Sequence, residues 1–299
     1  MKVRSIAPVI AVCCLVFMLN NILYAKPELN QGEVTMRKTY FEQKNIRYGN
    51  HKNQIFDISL PEKRNRTTPV TILIHGGGWA MGDKSELDFY RNALAKEGFA
   101  AASMNYRFVN GSDVALPEIM EDITGTIDYI SNHAEEWSIS SETFCLTGHS
   151  VGGHLGLLYA YAFNGSNKVK TAVGIAPPVD LTEPKFHNFT IRFLWKTLSS
   201  KKQIEMLTGF DASKEKEYSP AYIQGCAPTL LFFAKEDEFI PIIHAQIIEN
   251  SLKYKRCPYE LYILDGSHFF INDPSAQKTM LPHIIRWIKK YCISGNSME

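Results

Sequence analysis

The chain has 299 residues, 45% of them hydrophobic, and its 32 basic and 31 acidic residues leave a formal net charge of +1. This composition indicates one globular domain with a large core and excludes a disordered or fibrous chain. Because the charges nearly cancel, no global field attracts nucleic acid or an anionic membrane, and a small neutral substrate fits the sequence better.

The first 25 residues differ in kind from the rest. Lys2 and Arg4 precede an apolar run at residues 7–19, and we expect cleavage after Ala25. A charged start followed by such a run predicts a signal peptide, and therefore an exported protein, periplasmic or secreted. An uncleaved signal anchor is the alternative, because Leu23 stands where a small residue is usual. Only in that case do we expect membrane contact.

After the leader, short β-like runs alternate with helical stretches throughout residues 26–299. This alternation predicts a single α/β domain: a mostly parallel sheet with helices on both faces. The predicted strands cover residues 55–60, 70–75, 99–105, 143–147, 171–176, 228–234 and 259–264. The predicted helices cover residues 86–97, 116–133, a stretch from about 150, 242–253 and 276–291.

The alternation breaks down at residues 181–222, where aromatic side chains concentrate. They include Phe186, Phe189, Phe193 and Trp195. Long insertions of this kind often cover a binding site, so we predict a small lid over a substrate pocket. A surface helix pair packed by its aromatic residues is the alternative.

Four cysteines follow the leader, an even number that permits disulfides in an oxidising compartment. Cys145 belongs to an apolar stretch and is predicted to be a small buried hydrophobe. Cys226, Cys257 and Cys292 are enough for one bridge, and the sequence leaves the pairing open. There is no CxxC pair and no Cys/His cluster with zinc spacing, so we predict no metal site.

The sharpest motif lies between a predicted strand and a predicted helix. Residues 148–152 read Gly-His-Ser-Val-Gly, the G-x-S-x-G nucleophile elbow in the context that it requires. The tight turn forces the serine into a strained backbone conformation, and side chains in place of the glycines would collide with the neighbouring strand and helix. We therefore predict that Ser150 is a nucleophile at a helix N-terminus, with its hydroxyl exposed.

A second motif follows the strand at residues 70–75, where residues 75–79 read His-Gly-Gly-Gly-Trp. A glycine run at this place lets backbone N–H groups approach a substrate oxygen and form an oxyanion hole. The predicted donors are Gly77 and Gly78, joined by Val151, the residue after the nucleophile. A flexible loop is the alternative interpretation.

A serine hydroxyl needs a base to accept its proton. In folds with this elbow the chain order is serine, acid, histidine. His268 follows the last predicted strand in a turn and is the predicted base. His244 and His283 lie within helical patterns and are expected to pack or face solvent. The histidines beside the glycine motifs are expected to shape the site; they are His75, His149 and His154.

For the acid, three carboxylates follow the strand at residues 228–234. Asp237 is preferred because Glu236 and Glu238 are then left to face solvent, and because Pro241 starts the next helix four residues later. Asp265 lies only three residues before His268 and is expected to shape the turn.

Taken together, these motifs resemble the hormone-sensitive-lipase and feruloyl-esterase-like (BD-FAE-like) branch of the α/β-hydrolases. The match spans about the whole mature chain. It rests on residues 75–79, Gly82-Asp83-Lys84, Asn105-Tyr106-Arg107, residues 148–154, Asp237 with Pro241, and His268.

The resemblance implies an α/β-hydrolase fold with an eight-stranded, mostly parallel sheet and a Ser150-His268-Asp237 triad. It also implies hydrolysis of carboxylic esters through an acyl-enzyme, without a cofactor. In two places the chain departs from the branch: Val151 stands where Ala is more frequent, and Ala234 where Gly is frequent. Val151 is expected to restrict the acyl group.

Fold similarity alone does not choose among the chemistries of this scaffold. A hydrolase of small or short-chain esters ranks first. An amidase or aryl-formamidase acting through the same triad ranks second. A non-catalytic binding protein that retains the fold ranks last, because nucleophile, base, acid and glycine donors are all present.

Overall fold

The computed structural model of this chain describes residues 39–110, 113–186 and 214–293. Eight strands form one sheet in the order β1-β2-β4-β3-β5-β6-β7-β8. β2 pairs antiparallel with both β1 and β4, and all other neighbouring strands are parallel. The predicted eight-stranded, mostly parallel sheet is therefore confirmed. The strands are β1 (Tyr40–Arg47), β2 (Ile55–Pro61), β3 (Val70–Ile74), β4 (Ala100–Met104), β5 (Phe144–His149), β6 (Val169–Ile175), β7 (Thr229–Ala234) and β8 (Tyr259–Leu264).

The longer helices agree with the predicted ones to within three residues at either end. They and the shorter ones are α1 (Asp88–Lys96), α2 (Leu116–Asn132), α3 (Ala134–Trp137), α4 (Val151–Leu158), α5 (Pro184–Phe186), α6 (Ile243–Tyr254) and α7 (Pro274–Ile288). A 3-10 turn at Lys84–Leu87 precedes α1. The side chain of Asp83 starts this turn by accepting a hydrogen bond from the backbone N–H of Ser85.

Helices cover both faces of the sheet, as predicted. Side chains alternate along a strand, so Ile72 and Ile74 of β3 join one apolar core while Leu73 joins another on the opposite face. Helices α2, α4 and α6 contribute to the first core. Helices α1 and α7 contribute to the second. The sheet is thus buried on both faces, which explains why its central strands are continuous apolar runs.

The cysteines resolve a question that the sequence leaves open. Cys226 and Cys257 form a disulfide that joins the chain before β7 to the chain before β8. Cys145 is free and buried in β5, which confirms its predicted role as a small hydrophobe. Cys292 is also free and buried.

Two predicted segments lie largely outside the described residues. The leader at residues 1–25 is outside them, and so are residues 187–213 of the predicted lid. The described ends of the lid segment hold α5 and a 3-10 turn at Pro220–Tyr222. Among the described residues, none of the helices is both long and apolar enough to cross a bilayer.

Candidate active site

The two glycine motifs meet at one edge of the sheet. β3 and β5 are parallel neighbours, so the loops that follow their carboxyl ends lie side by side. A Cβ atom added to Gly76 would stand 3.4 Å from the Cβ of Ser150. The glycine loop at residues 75–79 therefore begins in contact with the nucleophile elbow.

Ser150 has the strained backbone that the motif predicts, with φ 54° and ψ −125°. Its N–H donates to the carbonyl oxygen of Ile175 at 2.7 Å, which holds the turn against β6. A Cβ at Gly152 would stand 2.0 Å from the carbonyl oxygen of Ile74, and one at Gly148 would collide with Gly152. Side chains are thus excluded on both sides of the serine, and Ser150 is left at the N-terminus of α4.

The serine is one member of a hydrogen-bonded triad. Nε2 of His268 lies 2.9 Å from Oγ of Ser150, and Nδ1 of His268 lies 2.8 Å from Oδ2 of Asp237. Ser150 is 8% and His268 5% exposed, and the Asp237 side chain only 1%. Since a carboxylate can only accept, Nδ1 carries the proton that faces Asp237. Nε2 is then the acceptor that faces the serine hydroxyl. Ser150 is therefore buried, and its hydroxyl is less exposed than predicted.

The backbone of its own loop orients Asp237. Its Oδ1 accepts hydrogen bonds from the N–H of Phe239 at 2.9 Å and of Ile240 at 2.7 Å. With Oδ1 held in this way, only Oδ2 faces His268.

The competing carboxylates lie elsewhere. Glu236 and Glu238 are exposed, as expected, but each also accepts a hydrogen bond from the loop after β8. Glu236 binds the N–H of Gly266 at 2.8 Å, and Glu238 binds the N–H of His268 at 3.1 Å. Asp265 pairs with Lys235. No sequence motif marks these two backbone contacts, which fix the loop that carries the base.

The predicted oxyanion donors are backbone N–H groups of the glycine loop and of the first residue of α4. Gly77 has φ 106° and Gly78 has φ 61°, conformations that favour glycine. Val151 is the first residue of α4, where backbone N–H groups have no helical partner. Within the described residues, the N–H groups of Gly77, Gly78 and Val151 donate to no other atom of the chain. They remain available to a ligand oxygen.

His149, the residue before the nucleophile, contacts the backbone of the base His268. Its Nε2 lies 3.0 Å from the carbonyl oxygen of His268, and the two rings are 4.9 Å apart. Burial, together with the nearby His268, lowers the pKa of His149 to about 3. The ring is therefore neutral near pH 7, and its N–H can hold the His268 backbone in place.

Two other histidines support the glycine loop. The His75 ring stacks on Tyr106 at 4.4 Å, and the Tyr106 hydroxyl donates to the carbonyl oxygen of His75 at 3.1 Å. His154 lies 2.7 Å through Nε2 from the carbonyl oxygen of Tyr218, and Trp79 Nε1 donates to its Nδ1 at 3.4 Å. His154 thus joins the glycine loop to the C-terminal end of the predicted lid segment. Burial lowers the pKa of both histidines to about 4.

The remaining candidates stand apart from the triad. His244 is buried in α6, where its Nδ1 accepts the N–H of Val179 at 3.1 Å. His283 lies in α7 with its ring 4.2 Å from that of Tyr262. Both therefore pack as predicted. Among the described residues, no cluster of three or more His, Cys, Asp or Glu side chains could hold a metal ion.

The sheet order, the serine turn between β5 and α4, and the hydrogen-bonded triad define the α/β-hydrolase class. Comparison with known proteins narrows the class. The BD-FAE family model matches residues 56–252, so the chain belongs to the BD-FAE family.

Among curated proteins, the chain is similar to a kynurenine formamidase of Drosophila melanogaster, with 32% identity over 110 residues. That match covers 37% of this chain and 35% of the fly protein. A probable isoprenylcysteine alpha-carbonyl methylesterase of Oryza sativa subsp. japonica is 24% identical over 294 residues, 91% of this chain and 66% of the rice protein. This chain thus spans less than two thirds of the length of either relative.

Solved structures show the same fold. Esterase B from Lactobacillus rhamnosis superimposes with a TM-score of 0.75 at 21% identity, covering 94% of both chains. An esterase from Thermogutta terrifontis gives a TM-score of 0.67 at 18% identity, covering 86% of this chain and 95% of the other.

Proposed function

We propose that this protein is a serine carboxylesterase that cleaves small or short-chain esters through an acyl-enzyme on Ser150. The observation that carries the proposal is the continuous hydrogen-bonded path from Asp237 through His268 to Ser150, at the strained serine turn. Membership of the BD-FAE family and the esterase activity in the names of similar proteins support it.

Acylation follows from the geometry. Oγ of Ser150 attacks the ester carbonyl carbon while Nε2 of His268 takes the hydroxyl proton. The buried Asp237 carboxylate stabilises the imidazolium that forms. The negative charge on the carbonyl oxygen is met by the N–H groups of Gly77, Gly78 and Val151.

The tetrahedral intermediate then collapses, and the bond to the alcohol oxygen breaks. Nε2 of His268 gives its proton to that oxygen, and the alcohol leaves. Water, deprotonated by the same nitrogen, attacks the acyl-enzyme, and a second collapse releases the acid and restores the Ser150 hydroxyl. No group outside the triad and the oxyanion donors is required.

The test is hydrolysis of a p-nitrophenyl ester series from acetate to palmitate by the purified protein. Ser150→Ala should abolish turnover, because the acyl group has no other acceptor in the site. Ser267→Ala is the matched control: this exposed serine lies in the same loop as the base, outside the triad. Ester hydrolysis that survives in Ser150→Ala at the wild-type rate would refute the proposal.

An amide-cleaving function is the second candidate, and the similarity to kynurenine formamidases favours it. The same triad can deliver a proton to an amine nitrogen. An N-formyl aryl amide, added to the ester series, separates the two. Hydrolysis of the amide but of none of the esters would show that the substrate is an amide.

We further propose that the protein is exported, with the leader at residues 1–25 removed. The charged and apolar pattern of the leader supports this, and so does the Cys226–Cys257 disulfide, since disulfides persist mainly in oxidising compartments. The mass of the protein recovered from its source should correspond to a chain that begins at Lys26. A full-length mass in the cytosolic fraction would contradict export.

A further inference from the structure

Two phenyl rings flank the catalytic imidazole. The centroid of Phe239 lies 5.2 Å and that of Phe269 5.4 Å from the centroid of His268. The two phenyl rings lie 6.0 Å from each other in an edge-on arrangement. They come from different loops, one after β7 and one after β8, and converge only at the base.

Phe239 packs against the first apolar core, but neither ring is fully buried. Phe239 and Phe269 are both partly exposed, whereas the next residue, Phe270, is 3% exposed and belongs to the second apolar core. Partly exposed aromatic rings beside a catalytic group can contact a ligand while they keep one side against the protein.

The chemistry of the triad decides which part of an ester meets these rings. His268 must hand its proton to the leaving alcohol oxygen, so that oxygen has to come within about 3 Å of Nε2. The carbonyl oxygen must instead face the N–H groups of the glycine loop and Val151. The alcohol part of the ester is therefore the part that lies beside His268.

We infer that Phe239 and Phe269 form an aromatic wall for the alcohol part of the substrate, so that the site selects esters whose alcohol carries a flat apolar or aromatic ring. The inference rests on the proposed ester hydrolysis and names its substrate class. An alcohol substituent a few ångströms from the ester oxygen reaches both rings, and aromatic rings favour edge-on and offset contacts at such distances.

The acidic residues near the aromatic wall also favour a neutral alcohol part. Glu236 and Glu238 stand in the loop that carries Phe239, and both accept backbone hydrogen bonds from the His268 loop. An alcohol with a carboxylate or phosphate group would meet like charge there. A neutral ring would not.

Two isomeric esters test the inference directly, because they place one phenyl group on opposite sides of the ester. Benzyl acetate carries the ring on the alcohol, and methyl phenylacetate carries it on the acid. The wild-type protein should show a kcat/KM for benzyl acetate about tenfold higher than for methyl phenylacetate. This comparison needs no variant, so a folding defect cannot obscure it.

Variants then locate the effect. The double variant Phe239→Leu/Phe269→Leu should lower kcat/KM for benzyl acetate about tenfold more than for methyl acetate, whose alcohol cannot reach the wall. Phe89→Leu, at an exposed phenylalanine on α1, is the control and should leave this ratio unchanged.

A wild-type preference for methyl phenylacetate would overturn the inference while leaving ester hydrolysis intact. So would an equal loss on benzyl and methyl acetate in the double variant, since the rings would then only position His268. If the wild-type protein hydrolyses none of the three esters, the proposed function itself is refuted.

Discussion

Replacing Asp237 with asparagine should move the imidazole proton of His268 from Nδ1 to Nε2 without changing the shape of the site. Oδ1 of Asp237 accepts two backbone N–H groups, from Phe239 and Ile240, and an asparagine must keep its carbonyl oxygen there to satisfy both. Its amide NH₂ group then takes the place of Oδ2 and points at Nδ1 of His268, which lies 2.8 Å away in the wild-type protein.

An NH₂ group can only donate, so Nδ1 must become the acceptor and the imidazole proton must move to Nε2. Nε2 then directs an N–H at Ser150 and can no longer accept its proton. The wrong tautomer, with the geometry intact, lowers kcat about 10⁴-fold in a serine triad, or by about 5.5 kcal/mol of activation free energy.

The assay is kcat for p-nitrophenyl acetate at neutral pH, with Asp265→Asn as the matched control. Asp265 is the carboxylate nearest to His268 in sequence, but it pairs with Lys235 on the surface, so its amide should change kcat by less than about threefold. A loss below about tenfold in Asp237→Asn would show that the acid lies elsewhere. A large loss of kcat in Asp265→Asn alone would identify Asp265 as the acid.

Two predictions concern stability. Lowering the pH from about 6 towards 4 should reduce the free energy of unfolding by several kcal/mol per pH unit, since the unfolded chain protonates four imidazoles that stay neutral in the fold. Burial lowers their pKa values to about 4, 3, 4 and 4, and they belong to His75, His149, His154 and His244. Partly buried Glu86 offsets about one of them, because desolvation raises its pKa to about 7. Urea midpoints that stay constant between pH 7 and 5 would contradict this. Removing the disulfide as Cys226→Ser/Cys257→Ala opens a link over a sequence separation of 31 and should cost about 3 to 4 kcal/mol, measured by urea unfolding at pH 7. An unchanged midpoint in the double variant would show that the link leaves the unfolded chain unconstrained.

Most of the sheet is predictable because its strands are buried on both faces and read as apolar runs. β1 is the exception: it lies at the edge of the sheet, most of its residues are partly or fully exposed, and it carries charges such as Glu42 and Lys44. Nothing in such a run separates a strand from a polar loop, and only the family resemblance implies an eighth strand. The Cys226–Cys257 pairing also depends on tertiary approach, which spacing does not contain.

The residues of the triad are predictable because each follows a strand whose carboxyl end must meet the others at one edge of the sheet. Their supports are harder to foresee. His149 and Glu238 act on the backbone of His268 across the ends of different strands, and no local pattern marks a side chain for such a contact. The hydroxyl of Tyr106 supports the carbonyl of His75 in the same way.

The triad brings together residues that are far apart along the chain. Ser150 and His268 are separated by 118 positions, and β8 must pair with β7 before the base can reach the serine. Such high contact order means that these contacts form late, after the entropy of closing long loops has been overcome. A nascent chain that ends before β8 therefore lacks the base. Any catalytic activity is consequently a measure of completed folding.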